Sequence, residues 1–354
     1  MVAKWNIKWL WIGILSVCLV SCSQGLPTAT TDVVDTDAMS TSPSPDSMAK
    51  PIPVTATTLP PSPTNTATAL PPSPTNTPTL ELPTETPLPT EIPTLTPIPW
   101  PTSEAFFDGA RVTFINNAGF LITVGDKKIL IDALYDTNNP RIDPPKEVLQ
   151  RAVNAEPPFD QIDLVIALHS HADHFSADLV RDHLRNNELA VFVSSPDAVR
   201  QIKQMGDEFD ERLIAVDLEP GESSHLSVNG IELDCLYLTH GDASVLNIGV
   251  VITVGDYTFL HSGDMSVDSM AEDAVSLADL QGYGLHQKEI DLAILNIYTF
   301  SVDEGVTLIE NGIQARYVSP MHYLYQYPPT SVEENFSNAV VFKDTLESWV
   351  APSE

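Results

Sequence analysis

The sequence predicts an α+β (or α/β) layered domain, sheets covered by helices, at the end of a long non-globular stretch. Two observations carry that expectation. Most of the chain's 30 prolines fall before position 104, so two different polymers are joined end to end. Beyond that point, short runs rich in β-branched and aromatic residues come first, and strand-like and helix-like periods then alternate, the pattern of sheets packed against helices. The segment 105–354 is long enough to bury a full core.

The N-terminus reads as an export signal. Lys4 and Lys8 form a short basic region, and Trp9–Val20 is apolar apart from Ser16. Such a run is too short for a bilayer-spanning helix, which takes about 20 residues, and fits a secretory signal. It ends in Leu19-Val20-Ser21-Cys22, which resembles a bacterial lipobox. Residues 1–22 are therefore expected to be a lipoprotein signal peptide, with Cys22 lipidated and the chain anchored outside the cytoplasm. Acyl chains anchor by burying methylenes at roughly 0.8 kcal/mol each.

Residues 23–104 are dominated by Thr, Pro and Ser. Leu59-Pro60-Pro61-Ser62-Pro63-Thr64-Asn65-Thr66 recurs from Leu70 to Thr77. Proline fixes φ and removes backbone donors, and little apolar surface is available to offset ordering entropy. A disordered, extended tether is expected here. Glycosylation and partner binding are alternative uses of such a stretch.

From Arg111 the elements follow in order. Arg111–Ile115, Gly119–Val124 and Lys127–Asp132 read as strands, with Gly125-Asp126 as a tight turn. Ile162–Leu168 is a nearly continuous apolar run, suited to a buried strand. Ser176–Asn187 has helical spacing, with Leu179, Val180 and Leu184 on one face. Strands are expected at Leu189–Val193, Ile231–Leu238, Asn247–Val254, Thr258–His261, Ile290–Leu295 and Arg316–Ser319. Helices are expected at Asp268–Leu280, around Val306–Asn311, and at Val332–Trp349 as a closing element.

The chain has 48 acidic against 17 basic residues, a formal net charge of −31, and only eight of the acids precede residue 105. Such a surface repels phosphate backbones and argues against a nucleic-acid partner. The three cysteines, Cys18, Cys22 and Cys235, suggest no disulfide framework. Cys235 alternates with Ile231, Leu233 and Tyr237 and reads as a small hydrophobe on a strand's buried face.

The chemistry concentrates in His169-Ser170-His171-Ala172-Asp173-His174-Phe175, directly after the apolar run. Imidazoles and carboxylates crowded at a strand end need a shared electrophile, which a divalent cation supplies. His169 and His171 are two apart and point the same way on extended chain. Asp173 and His174 lie in the turn beyond. Imidazole with carboxylate suits Zn, Fe or Mn better than Ca or Mg.

This HxHxDH run after a buried strand resembles the metallo-β-lactamase superfamily. The likeness is greatest to its branch of metal-dependent hydrolases that includes the ascorbate-lactone hydrolases. It covers roughly Val112 to Tyr323. The approach Ile115-Asn116-Asn117-Ala118-Gly119-Phe120-Leu121-Ile122, then Lys128–Asp132, is similar to that branch's opening strands, where a His often stands at Asn116 or Asn117. Downstream, Leu238-Thr239-His240-Gly241, Phe259-Leu260-His261-Ser262-Gly263-Asp264 and Ser319-Pro320-Met321-His322-Tyr323 come in the order the resemblance implies.

The resemblance implies a four-layer αββα sandwich and a dinuclear site. His169, His171 and His240 would hold one metal. Asp173, His174 and His322 would hold the second, and Asp264 would bridge. The cofactor would be two divalent ions, zinc first, with Mn or Fe as alternatives. Asp173 or Asp264 would take a proton during hydrolysis of a small-molecule ester, lactone or phosphodiester.

His261 reads as a core residue or a partner of the ligands, and His183, His225 and His286 as surface or helix-face residues. Tyr323 reads either as a donor to substrate or as packing. Specificity loops are expected at Asp136–Pro158, Gln204–Asp210 and Ser266–Gln287. Two other functions stay open at this point: an iron-loaded redox site, and a metal-binding protein without turnover.

Overall fold

The computed structural model describes Trp100 and residues 106–267, 273–324 and 327–352. The expected signal peptide with Cys22, and the tether apart from Trp100, lie outside the described residues.

The described strands, in chain order, are β1 (Phe107–Asn116), β2 (Gly119–Gly125), β3 (Lys127–Ile131), β4 (Leu164–Ala167), β5 (Val191–Ser194), β6 (Leu213–Ala215), β7 (Ser223–Val228), β8 (Ile231–Tyr237), β9 (Ile248–Val254), β10 (Tyr257–His261), β11 (Leu292–Asn296), β12 (Tyr317–Met321) and β13 (Ser348–Val350). The helices are α1 (Lys146–Val153), α2 (Ala177–Asn186), α3 (Pro196–Gln204), α4 (Leu277–Gly282), α5 (Asp303–Thr307) and α6 (Thr330–Asn335). A π-helical turn, Leu308–Ile313, continues α5.

Two sheets form, in the orders β13-β1-β2-β3-β4-β5-β6 and β12-β11-β10-β9-β8-β7. The first is antiparallel through β13, β1, β2 and β3, then parallel from β3 to β6. The second is antiparallel from β7 to β10 and parallel from β10 to β12.

Side-chain alternation at period two sorts each strand between two cores. Ile129, Ile131, Leu164 and Ile166 of the first sheet meet Ile231, Leu233, Cys235, Val250, Ile252, Leu292 and Ile294 of the second in a core between the sheets. The intervening Leu130, Val165 and Ala167 face outward onto α1, α2 and α3, through Val148, Leu149, Val180, Leu184, Val199 and Ile202. On the far side Val251, Ala293 and Leu295 meet Leu280, Leu308, Ile309 and Val332. The molecule is thus the four-layer αββα sandwich that the resemblance implied. Cys235 is fully buried, as expected of a core hydrophobe, and burial raises its thiol to about 12.

Trp100, assigned to the tether from composition, docks on α1. Its Nε1 donates to Glu147 at 3.0 Å, and the Arg151 guanidinium lies over its ring at 4.1 Å.

The expected closing helix over Val332–Trp349 is wrong. Helix α6 ends at Asn335. Beyond it Val341 and Phe342 enter the core, where Phe342 meets Phe114 and Phe120. The chain then pairs as β13 with the edge of β1. An open edge of β1 would leave a row of unpaired backbone groups, and covering it outweighs local helical propensity. The helix expected over Asp268–Leu280 is also shorter. Residues 268–272 lie outside the described residues, and α4 begins at Leu277, where Ser276 and Asp279 form a reciprocal capping box.

Four elements were not anticipated: α1, α3, β6 and β7. Helix α3 carried the signal of Ser195 at the N-cap and Pro196 at the first position. Strand β7 is mostly exposed and largely polar, which weakens the period-two signal.

Candidate metal centre

The polar residues gather where strands end. His169 follows β4, His240 follows β8, Asp264 follows β10, and His322 directly follows β12. The parallel arrangement of β3 with β4, and of β10 with β11 and β12, brings several carboxyl ends to one edge of the sandwich. In open α/β sheets that edge is where ligands bind.

Three donor groups have ligand atoms within 4.8 Å of one another: His169, His171 and His240; His169, His174 and Asp264; and Asp173, His174 and His322. Asp264 Oδ2 is the hub. It lies 3.9 Å from His169 Nε2, 3.3 Å from His174 Nε2, 3.7 Å from His240 Nε2 and 3.3 Å from His322 Nε2. His322 Nε2 is 3.1 Å from Asp173 Oδ2. All seven residues expected as ligands therefore lie together.

The set fits divalent cations. Four donors around zinc at about 2.0–2.1 Å sit roughly 3.3 Å from one another, the range seen around Asp264. Both ring nitrogens of His169, and Nε2 of His174 and His240, are buried without a hydrogen-bond partner among the described residues. Buried polar atoms are rarely left so, and each such orphan is costly.

Metal binding requires neutral imidazole and ionised carboxylate; His169, His171, Asp173 and Asp264 are already biased that way, whereas His174 and His322 would release a proton on binding. Burial, reinforced by His174, pushes His169 down to about 2. His171 is also lowered, by burial first. Burial alone would raise the Asp264 carboxyl, but the imidazoles, His174 foremost, hold it well below the usual carboxylate range. Asp173 is likewise held low, against its burial, by the hydrogen bond with His322. His174 and His322 rise in answer, despite burial, because Asp264 and Asp173 respectively face them.

Several positioning groups were not singled out from sequence. Asp132, fully buried at the end of β3, accepts the Leu168 N–H at 2.8 Å and meets His174 Nδ1 at 2.8 Å. That bond fixes the ring so that Nε2 faces the centre. Asn247 Oδ1 accepts the Asp264 N–H, and its amide donates to the carbonyls of Leu238 and Ser262. Asn296, at the end of β11, donates to Asp264 Oδ1 at 3.1 Å. Asn117 donates to the Asp173 carbonyl at 3.3 Å, and its own carbonyl accepts the His322 N–H. Asp132, Asn117 and His322 all have positive φ, at 44°, 49° and 63°. Left-handed backbone at non-glycine residues clusters where tertiary packing over-determines the chain, as at functional sites. Polar residues at the ends of apolar strands were the available signal for Asp132 and Asn296.

The remaining histidines separate from the centre. His261 is a core residue: Nε2 meets the Ala118 carbonyl and Nδ1 accepts the Gly263 N–H. His183 lies on α2 but faces inward, fully buried, with Nδ1 on the Ala152 carbonyl. His225 is exposed on β7 between Glu232 and Asp234. His286 lies in a short 3-10 turn. Tyr323 proves to be packing, since its hydroxyl donates to the Phe342 carbonyl at 2.6 Å and its ring stacks on Phe114.

A cleft of about 620 Å³ opens beside the centre, with Ser170 and Thr239, neighbours of His169, His171 and His240, in its wall. Of the three expected specificity loops, Ser266–Gln287 reaches it, through Asp273, Val275, Asp279 and Tyr283. Within Asp136–Pro158, α1 packs outside the first sheet while the carbonyls of Ile142 and Asp143 accept from the Asn116 amide, and Gln204–Asp210 folds back on Arg181 through Glu208. The loops 217–221 and 243–246 line the cleft and were not anticipated.

A family model described as a β-lactamase superfamily domain matches residues 127–323. A UPF0173 metal-dependent hydrolase of Pyrococcus horikoshii is 29% identical over 239 residues, 65% of this chain and 92% of that protein. Another from Methanosarcina mazei is 28% identical over 256 residues, covering 69% and 96%. Among solved structures, the metallo hydrolase Igni18 of Ignicoccus hospitalis aligns with a TM-score of 0.51 at 17% identity, over 69% of this chain and 99% of its own, a likeness of fold.

Proposed function

Since the chain belongs to the β-lactamase superfamily domain family, we propose that its polar centre holds two divalent cations and hydrolyses an ester, lactone or phosphodiester. The enzyme is a metal-dependent hydrolase of the metallo-β-lactamase superfamily. The observation that carries the dinuclear reading is the position of Asp264 Oδ2, within 4 Å of four imidazole nitrogens drawn from three strand ends. His169, His171 and His240 would hold one ion, Asp173, His174 and His322 the other, with Asp264 between. Histidine with aspartate favours zinc, with Mn or Fe compatible.

Such a cation pair, when bound, acidifies a water and polarises the substrate's carbonyl or phosphoryl oxygen. The chain's own residues do the rest. Asp132 orients His174, and Asn247 and Asn296 fix both ends of Asp264. Asp173, one-quarter exposed at the centre, and Asp264 are the groups that would accept the water's proton. Water adds across the scissile bond, which leaves an acid and an alcohol and requires no oxidant.

The export reading is part of the proposal. Lys4, Lys8 and the apolar run ending at Cys22 support an anchored, extracytoplasmic enzyme. No helix among the described residues is long and apolar enough to cross a membrane.

Elemental analysis of the purified full-length protein should find divalent metal, with His171→Ala holding less. On a panel of ester, lactone and phosphodiester substrates, that variant should lose hydrolysis while its circular dichroism is retained. Undiminished activity in His171→Ala would sink the catalytic assignment.

A further inference from the structure

The cleft beside the centre has a one-sided lining. Asp197, Asp217, Glu219, Asp273 and Asp279 contribute five carboxylates, and among the described residues no Lys, Arg or His lines it. Two of the acids are already engaged: Asp197 pairs with Arg200, and Asp279 caps its own helix through Ser276. Glu219 and Asp273 have no basic partner among the described residues; both line the cleft with Tyr237, and after burial their charges, Asp273 first, raise its phenol above the usual range. Tyr283 joins them: its hydroxyl donates to the Tyr237 carbonyl at 2.9 Å, and Asp279 and Tyr237 add to the burial that raises its phenol to about 12. Two tyrosines and three carboxylates thus share the lining of the cleft.

Ser195 lines the same cleft, is 2% exposed, and its Oγ has no hydrogen-bond partner among the described residues. It precedes α3 yet makes no side-chain cap. A buried hydroxyl left this way calls for a partner that enters the cleft. The N-termini of α3 and α4 reach the lining and would favour an anion, and Asp197 and Asp279 in their first turns already answer them.

We propose that the cleft selects substrates that carry a positive charge, an ammonium held between Tyr237, Tyr283, Glu219 and Asp273, with the scissile ester or lactone carbonyl toward His169, His171 and His240. Aromatic faces with adjacent carboxylates attract cations by quadrupole and by charge. The same field turns away phosphodiesters and other anions. This inference rests on the hydrolase reading, and narrows it to cationic carbonyl substrates.

The test uses acetylcholine, its uncharged carbon isostere in which a tert-butyl group replaces trimethylammonium, and an acetate ester bearing a carboxylate. Hydrolysis of each adds one water across the acyl–oxygen bond. At low salt kcat/KM should favour the cation over the isostere by about tenfold, with the anion lowest, and the preference should shrink as salt screens it. The double variant Glu219→Gln/Asp273→Asn should bring the cation-to-isostere ratio close to one, through KM. Calorimetric titration with choline and with its uncharged analogue, on metal-loaded and chelator-treated protein, gives a readout independent of turnover. Preferential binding of choline without hydrolysis of any ester would overturn the reaction and leave the cleft inference standing. Equal binding of the two, binding of neither, or a ratio unmoved in the double variant would overturn the inference itself.

Discussion

At the scale of single residues, the centre depends on groups that touch no substrate. Asp132 has the left-handed backbone of a residue fixed by its surroundings, and both its oxygens are used, one on Leu168 N–H and one on His174. Asp132→Asn keeps the shape and suits positive φ, but removes the charge that holds the imidazole in place. Metal affinity, measured by chelator competition, should fall by roughly ten- to a hundredfold, with little change in melting temperature. An unchanged competition curve would show that the ring is oriented by packing alone. Gly263 belongs to the same argument. Its φ is 54°, and a Cβ there would lie 2.2 Å from Asn247 Oδ1, the atom that holds the Asp264 N–H. The glycine thus lets Asn247 approach closely enough to set the Asp264 carboxylate.

At the scale of elements, the segment after α6 is the instructive one. Its sequence supports a helix, yet it runs through the core and ends as an edge strand. Phe342, 1% exposed, completes a ring cluster with Phe114, Phe120 and Tyr323, and its carbonyl takes the Tyr323 hydroxyl. Tyr323 adjoins His322, so this cluster supports the chain that carries one proposed ligand. Phe342→Ala should cost about 3–5 kcal/mol by urea denaturation, the usual penalty for emptying a buried aromatic site. A loss below about 1 kcal/mol, ordinary for surface positions, would mean that the segment does not form core as described.

At the scale of the whole molecule, the acidic balance and the proposed N-terminal export signal bear on the context of the chemistry. A net charge of −31 disfavours polyanions, and the cleft repeats that sign locally. The lipid anchor is a separate proposal with its own check. In a bacterial host given labelled palmitate, the wild-type protein should take up label and Cys22→Ala should not. Label retained in the variant would refute Cys22 as the acylated residue.

Much of this was legible without coordinates, for particular reasons. His169, His171, Asp173 and His174 announce themselves because four ligand-type residues within six positions are hard to explain as packing. Most strands were legible because apolar alternation is a local property of each strand, and their division into two sheets came with the family resemblance. The proposed tether and export signal rest on composition and on Cys22 in the same local way. Proximity across the chain was not legible. Asp132 with His174, Asn296 and Asn247 with Asp264, and Asn117 with His322 are pairings made by strands converging at one sheet edge, and one-dimensional patterns hold no record of them. The cleft's charge has the same origin: Asp197 lies in the first turn of α3 while Glu219 and Asp273 lie in two separate loops, each unremarkable alone, and only the packing of the sandwich sets them beside the centre. The sequence by itself determined the ligand types and the layered class, since those follow from residue chemistry and period. Tertiary structure alone decided which atoms share a site and that the closing segment is a strand, because those depend on what each group meets.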